Sequence, residues 1–167
     1  MMIPAYPGAR YDVRGNGEMF SLNGPTWSLF FEYIGNILYA LFIRKFSDRL
    51  LKRFTIVLAL CWIVYAVGIF SGYGSMGVGW TLDWTNFTGG MIRMLFPFSL
   101  GMFLSRTFKP LKVTSPFWWC SLILISVFAV PYIPGGDLII YNGIYEALCV
   151  IVIFPTIVLI AASGDTK

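Results

Sequence analysis

The sequence predicts an all-α fold, a polytopic bundle of about five transmembrane helices. Of its 167 residues, 57% are hydrophobic and only 12% are charged, whereas charged residues make up about a quarter of a typical soluble domain. A soluble domain of this length has too little core to bury so much apolar surface. No segment shows the sustained alternation of a barrel strand, so we expect helices embedded in lipid.

The chain contains five apolar segments of suitable length, because a helix needs about 20 residues to cross the hydrocarbon layer. They lie at residues 26–43, 54–71, 89–105, 117–133 and 138–162. The first carries Glu32, the third Arg93 and the fifth Glu146, and the second and fourth carry no charge. We expect residues 1–25 to form a turn-rich loop outside the cytoplasm and residues 163–167 a cytoplasmic tail.

Lysines and arginines fall on alternate connections between these segments. The connections at 72–88 and 134–137 carry none, and the other two carry all of Arg44, Lys45, Arg49, Lys52, Arg53, Arg106, Lys109 and Lys112. The positive-inside rule then predicts that the basic connections and the C-terminus are cytoplasmic and that the N-terminus is outside. We expect a multi-pass protein of a bacterial inner membrane.

The N-terminal segment fits this orientation poorly on its own. About 25 residues with Arg10 and Arg14 would have to cross the membrane with no helix before them. We therefore expect this segment to be an internal loop of a longer protein, preceded by further N-terminal helices.

Several kinds of chemistry are not supported by the composition. The chain has no histidine, which is the commonest general base and metal ligand, and its three cysteines lack the spacing of metal ligands. The basic residues do not form one exposed face, so we expect no nucleic-acid partner. Residues 72–77 match the G-x-G-x-x-G string but lack the strand and helix that a dinucleotide site needs. We interpret them as a flexible loop.

The three charged residues inside the apolar segments are the strongest functional signal. A charge at the centre of a membrane helix costs about 2.5 to 3.5 kcal/mol on insertion scales, so it should be paired, hydrated or neutralised. At about 1.5 Å per residue, Glu32, Arg93 and Glu146 all fall in the outer half of the bilayer. We expect a polar cavity open to the outside and lined by the first, third and fifth helices. The alternative is an ion pair between Arg93 and either glutamate that only ties helices together.

Polar side chains also recur at helical spacing on the first and fifth segments. Ser28, Glu32, Asn36 and Tyr39 share one face of the first, and Asn142 lies on the same face of the fifth as Glu146. We expect both faces to point into the bundle.

Residues 22–39 resemble the hallmark motif of the acyltransferase-3 family of membrane acyltransferases, W-S-L-S-V-E-E-Q-F-Y. The matching residues are Leu22 to Leu29 (LNGPTWSL), then Glu32 and Tyr39. Two later segments are similar to family helices, one with a mid-span proline. Their matching residues are Arg93, Phe96, Phe98, Gly101 and Met102 in the first, and Glu146 and Pro155 in the second.

The resemblance implies an enzyme that moves an acyl group, often acetyl, from acyl-CoA on the cytoplasmic side to a hydroxyl of a surface glycan. Acyl-CoA would be the donor substrate, no cofactor would stay bound, and the lipid bilayer and the acceptor glycan would be the other partners. The candidate substrate-binding residues are Trp27, Ser28, Glu32, Asn36, Arg93 and Glu146. Arg93 is the expected partner for a carboxylate or for the oxygens of acyl-CoA.

The chain departs from the family pattern at three points. Tyr33 replaces the second glutamate, and residues 34–36 replace Gln-Phe-Tyr. The family's essential histidine has no counterpart, so the resemblance implies that this chain is the C-terminal portion of such an enzyme. The general base would then come from the missing helices.

Two other classes of protein remain compatible with the sequence. Charged residues inside a membrane also line the paths of transporters and flippases, of which this chain would be one half. Such folds usually contain internal repeats and helices broken at mid-membrane, for which Pro97 and Pro155 are the candidates here, and no repeat is visible. The third class is a non-catalytic membrane subunit.

Overall fold

The structure, a computed structural model, describes residues 4–5, 17–68, 75–134 and 137–164. Within these ranges it contains five main helices and no β-strand beyond isolated bridges, which confirms the predicted all-α class. The helices are α1 (Thr26–Leu41), α2 (Asp48–Val67), α3 (Trp84–Thr107), α4 (Pro116–Phe128) and α5 (Ile140–Ala162).

Three of these helices, α2, α3 and α5, are long and apolar enough to cross a membrane, with 20, 24 and 23 residues. The other two are shorter. Helix α1 has 16 residues and is followed by a 3₁₀ turn at Ile43–Lys45, and α4 has 13. At ~1.5 Å per residue, α1 measures ~24 Å, below the ~30 Å of a typical hydrocarbon core. No residue of α4 is buried.

Helices α2 and α3 begin before the predicted apolar segments because polar side chains cap them. The Ser47 hydroxyl accepts a hydrogen bond from the Leu50 N–H (3.3 Å), so α2 begins at Asp48 and not at residue 54. The Asp83 carboxylate accepts from the Asn86 N–H (3.0 Å), so α3 begins at Trp84 and not at residue 89. Capping satisfies the free N–H groups of a first turn whatever its hydropathy, which a search for apolar segments does not detect.

Helix α4 ends at Phe128, earlier than the predicted residue 133, because the chain turns back there. Pro131 disfavours a helical conformation in the residue before it. The Asn142 side chain then holds Ile133 by two hydrogen bonds, accepting from its N–H (3.0 Å) and donating to its carbonyl (2.8 Å).

Helix α5 contains a π-helical turn at Cys149–Ile153, where the Phe154 N–H donates to the Cys149 carbonyl five residues back. The next residue is Pro155, which has no N–H and whose ring crowds the preceding turn of an α-helix. A wider turn at this point lets the helix continue through the proline.

The helices form a row rather than a closed ring. Helix α2 is central and packs against α3 and α5, α1 packs against α3, and α4 packs against the C-terminal half of α5. The core lies between these helices and includes Leu51, Leu58, Trp62, Leu95 and Phe96. Helix α1 is therefore at one edge of the row and α4 at the other.

Contacts between the connections show that consecutive helices run in opposite directions. Arg106, at the end of α3, donates to the Phe46 carbonyl (2.8 Å) in the connection between α1 and α2 and pairs with Asp48 (3.4 Å), the first residue of α2. Residue Val113 bridges to Gly164 after α5. The two lysine- and arginine-rich connections thus share one end of the bundle, here called the basic end. The other end, here called the site end, joins residues 17–27, 75–83, 131–134 and 137–146.

Some predictions fall on residues outside the described ranges. These are the loop with Arg10 and Arg14, the last residues of the second apolar segment, the first three residues of the glycine string, and the final three residues of the tail.

Candidate functional site

A cleft of about 430 Å³ lies between α1 and α3. Four of the six predicted site residues line it, three from α1 and one from α3. Its lining consists of Trp27, Ser28, Phe31, Glu32, Gly90, Arg93, Met94, Pro97 and Phe98. Two segments that are far apart in the sequence, each singled out by a charged residue, therefore face one another.

Two glycines allow α1 and α3 to come close enough to form this cleft. A Cβ atom on Gly90 would lie 2.4 Å from the ring of Phe31, which is 1% exposed, and a Cβ atom on Gly35 would lie 2.5 Å from the sulfur of Met94. Small residues at a helix contact permit such an approach. The close contact turns the face of α1 that contains Phe31 and Gly35 towards α3.

Arg93 projects from α3 into the cleft and is held on two sides. Its Nη1 donates to the carbonyl of Val78 (3.3 Å), and its Cζ lies 4.8 Å from the ring centre of Trp27. Stacking on the indole leaves other guanidinium N–H donors free for a ligand. Among the described residues, neither Glu32 nor Glu146 forms a direct ion pair with Arg93. A direct helix-tying ion pair is therefore not seen among the described residues, although the charge of Glu146 still attracts Arg93 from a distance.

The connection at residues 75–83, here called loop 75–83, closes the cleft at the site end. Its Trp80 ring lies 4.9 Å from that of Trp27. Gly79 has a φ of +108°, and a Cβ there would lie 3.0 Å from Trp27, so glycine suits both the backbone and the contact. The Gly79 N–H donates to the Asn86 side chain (2.9 Å), which fixes the loop on the first turn of α3.

The polar face of α1 lies at the mouth of the cleft and on the surface, so the prediction that it points into the bundle is wrong for the five helices that the structure describes. Glu32, Asn36 and Tyr39 are exposed. Residues 31 and 35 already face α3, and a neighbouring position on a helix points about 100° away. Ser28 donates to the Pro25 carbonyl and Asn36 to the Glu32 carbonyl, both at 2.9 Å.

The Glu32 carboxylate has no hydrogen bond or ion pair with the described part of the chain. It is thus available to a ligand at the mouth of the cleft, on the helix that faces Arg93.

Glu146 lies outside this cleft, so the prediction of one cavity shared by the first, third and fifth helices is wrong. It lines a separate cavity of about 240 Å³ with Ser75, Asn142, Tyr145 and residues 130–132. Its Oε2 accepts a hydrogen bond from the Met76 N–H (2.8 Å). The backbone of loop 75–83 therefore lies between Glu146 and Arg93.

Sequence reasoning missed the contribution of loop 75–83 to the site. The prediction of a flexible loop covers residues 72–77, yet Met76 of that string is buried, as are residues 78 and 79 beyond it. The useful signal was Asp83 followed by Asn86, a capping pattern that fixes where the loop meets α3. The carbonyl of Val78, which holds Arg93, has no signature in the sequence because every residue carries one.

The cleft offers a hydroxyl, a carboxylate and a guanidinium against apolar walls. This combination suits an organic ligand with carbonyl or hydroxyl groups. Within the described residues, no group of three His, Cys, Asp or Glu side chains could hold a metal ion. No family model matches the chain, and no curated protein or solved structure matches it.

Proposed function

We propose that this chain is part of a membrane acyltransferase that moves an acyl group, such as acetyl, from acyl-CoA to a hydroxyl of a surface glycan or similar acceptor. The observation that supports this function most is the cleft itself. Trp27, Ser28 and Glu32 belong to one segment that resembles the acyltransferase-3 motifs, and Arg93 belongs to another, and all four line the same cleft.

The cleft residues divide into a polar and an apolar part, which suits an acyl donor. The free N–H donors of Arg93 match carbonyl, carboxylate or phosphate oxygens, which guanidinium groups bind in a fixed geometry. Glu32 is placed to accept a hydrogen bond from a hydroxyl of the acceptor. Met94, Pro97 and Phe98 form an apolar wall against which an acyl chain can pack.

Acyl transfer breaks the thioester C–S bond and forms a C–O bond to the acceptor, whose hydroxyl proton must go to a base. With no histidine in this chain, we assign the base to further helices of the same protein, as the resemblance implies. The exposed carboxylate of Glu32 supports such helices, because an unpaired charge that faces lipid is costly.

We also propose that the protein resides in a bacterial inner membrane with its basic end in the cytoplasm. The two basic connections share one end, as the positive-inside rule requires of cytoplasmic loops. The cleft lies towards the site end, which would then face the surface glycan.

Replacement of Glu32 tests this function. In cells that express the full-length protein, Glu32→Gln should lower the O-acyl content of surface glycan about a hundredfold, a usual cost of removing one well-placed polar contact. Asp48→Asn, a change of an exposed acid at the basic end, is the matched control and should leave acylation unchanged. Mass spectrometry of purified glycan measures both, at equal protein abundance in the membrane.

Three outcomes would count against the proposal. Normal acylation in the Glu32→Gln strain would remove Glu32 from the site. Unacylated glycan in every strain, wild type included, would exclude the proposed activity. Loss of the glycan itself from the surface after deletion of the gene would favour a transporter or flippase.

A further inference from the structure

We infer that Glu146 is a positioning residue that fixes Arg93 through loop 75–83, and that it does not bind substrate itself. Its consequence for acyl transfer rests on the function proposed above. Glu146 and Arg93 lie on different helices and bind the same short loop at residues two apart, Met76 and Val78.

The first step is the contact between α5 and the loop. The Glu146 carboxylate accepts a hydrogen bond from the Met76 N–H at 2.8 Å. Met76 is 1% exposed, so the loop backbone is fixed at a buried point.

Within the loop, a tight turn links Met76 to Val78. The Val78 N–H donates to the Met76 carbonyl at 2.8 Å, a tight turn of the i to i+2 type. Val78 is 2% exposed, and a Cβ on Gly89 would come within 2.4 Å of its Cγ2. The direction of the Val78 carbonyl is therefore tied to the position of Met76.

The Arg93 guanidinium is held between the loop and α1. The Val78 carbonyl accepts from Arg93 at 3.3 Å, and the far side of the guanidinium rests on Trp27. If the loop moves, Arg93 loses the partner that holds it against the indole. Glu146 thus acts on the cleft through two intervening residues.

Asn142 and Tyr145, which line the same cavity as Glu146, also bind backbone groups. Asn142 uses both ends of its amide to hold Ile133, and the Tyr145 hydroxyl donates to the Val127 carbonyl (2.8 Å). Both side chains are therefore engaged with the backbone, as Glu146 is.

Glutamine and aspartate substitutions separate positioning from charge. A glutamine at 146 keeps an oxygen that can accept from Met76 but loses the charge, which also attracts Arg93. An aspartate keeps the charge but is one methylene shorter and withdraws the oxygen. Positioning predicts that Glu146→Gln resembles wild type and that Glu146→Asp and Glu146→Ala do not.

The structural readout is amide hydrogen exchange and arginine modification of the full-length protein in lipid nanodiscs. Glu146→Asp should speed exchange at residues 75–80 several-fold and increase the reaction of Arg93 with phenylglyoxal, while Glu146→Gln changes neither. Asn142→Ala, one turn earlier on α5 and in the same cavity, is the matched control. It should speed exchange near Ile133 only.

The functional readout is the kinetics of acyl transfer. Glu146→Asp should lower kcat roughly 10- to 100-fold, the scale expected for a misplaced catalytic contact. Glu146→Gln should keep the kcat of the wild type. In an Arg93→Lys background the Glu146→Asp change should have little further effect, because the two residues act as a unit.

Active Glu146→Asp with inactive Glu146→Gln would show that the charge acts directly and would overturn the inference. Faster loop exchange with unchanged Arg93 reactivity would overturn it as well. If the wild-type protein transfers no acyl group, the proposed function fails alone. Exchange and Arg93 modification then still decide whether Glu146 positions Arg93.

Discussion

At the scale of single residues, the contact between α1 and α3 depends on having no side chain at Gly90. The ring of Phe31 occupies the space that a Cβ would take, at 2.4 Å. Phe31 also contacts Trp27 and Phe87 at ring-centre distances of 6.2 and 5.6 Å. A buried aromatic ring with neighbours on several sides cannot move aside cheaply, since protein interiors are close-packed.

We expect Gly90→Ala to destabilise the protein by about 1 to 3 kcal/mol, the usual cost of overpacking a core. Gly101→Ala is the matched control on the same helix, because nothing lies within 4 Å of its Cβ position. It should be neutral or stabilise by about 0.5 to 1 kcal/mol through helix propensity. Thermal unfolding of the two purified variants in the same detergent measures the difference, and an unchanged midpoint in Gly90→Ala would contradict the close contact.

Sequence patterns identified Glu32 and Arg93 as neighbours in one site, but they placed Glu146 in the wrong cavity. Charges inside apolar segments and the resemblance pointed to Glu32 and Arg93, which do line one cleft. The same reasoning put Glu146 in that cleft, because depth in the membrane was similar. Periodicity and depth tell which residues share a face or a level, but not which neighbouring helix that face meets. That depends on close approaches such as the one at Gly90.

At the scale of elements, the first turn of α3 is organised by Asp83. Its carboxylate accepts hydrogen bonds from the N–H of Asn86 (3.0 Å), from the Asn86 amide (2.8 Å) and from the Thr81 hydroxyl. Burial alone would raise the pKa of Asp83, but these hydrogen bonds outweigh it and hold the pKa below its ordinary value. The ionised cap thus starts the helix that carries Arg93.

The lowered pKa of Asp83 predicts a loss of stability in acid. A carboxylate whose pKa is lower in the folded state stabilises the protein above its unfolded pKa of about 3.9. That contribution is lost as the pH falls through the folded value. We expect Asp83→Ala to cost about 0.5 to 2 kcal/mol near neutral pH and less near about pH 3. Thermal unfolding of the wild type and the Asp83→Ala variant across this pH range measures the difference in stability. Ser47→Ala, which removes a cap without a charge, is the control. An effect of Asp83→Ala that is the same at every pH would contradict the prediction.

The existence of each helix was easier to predict than its ends. Apolar length indicated where five helices lie, because lipid selects for it. The ends follow polar and backbone details that apolar length ignores. Because Ser47 and Asp83 cap them, α2 and α3 begin earlier than the apolar segments predict. Helix α4 ends earlier than predicted because the chain turns back at Pro131. The π-helical turn of α5 accommodates a single proline, Pro155. Hydropathy averaged over a segment does not detect such a local feature.

At the scale of the whole molecule, both ends of the bundle carry aromatic residues suited to a membrane interface. Trp84 is 81% exposed at the site end, and Trp118 is 73% exposed at the basic end, a few residues after Lys109 and Lys112 in the sequence. Tryptophan collects at the level of lipid headgroups, and lysine and arginine collect on the cytoplasmic side. The two ends therefore differ in charge while they share an aromatic border, so charge is the feature from which the orientation is predicted.

We expect the site end to face outward, and single cysteines in a protein whose three native cysteines are replaced test it. A membrane-impermeant maleimide should label Asn23→Cys and Tyr132→Cys in intact cells, and Lys109→Cys only after the membrane is opened. All three positions are exposed, so a difference in labelling reports the side of the membrane and not burial. Labelling of Lys109→Cys alone in intact cells would reverse the orientation. The cleft would then open towards the cytoplasm, where acyl-CoA is made but surface glycan is absent, and the acceptor would have to be a glycan precursor inside the cell.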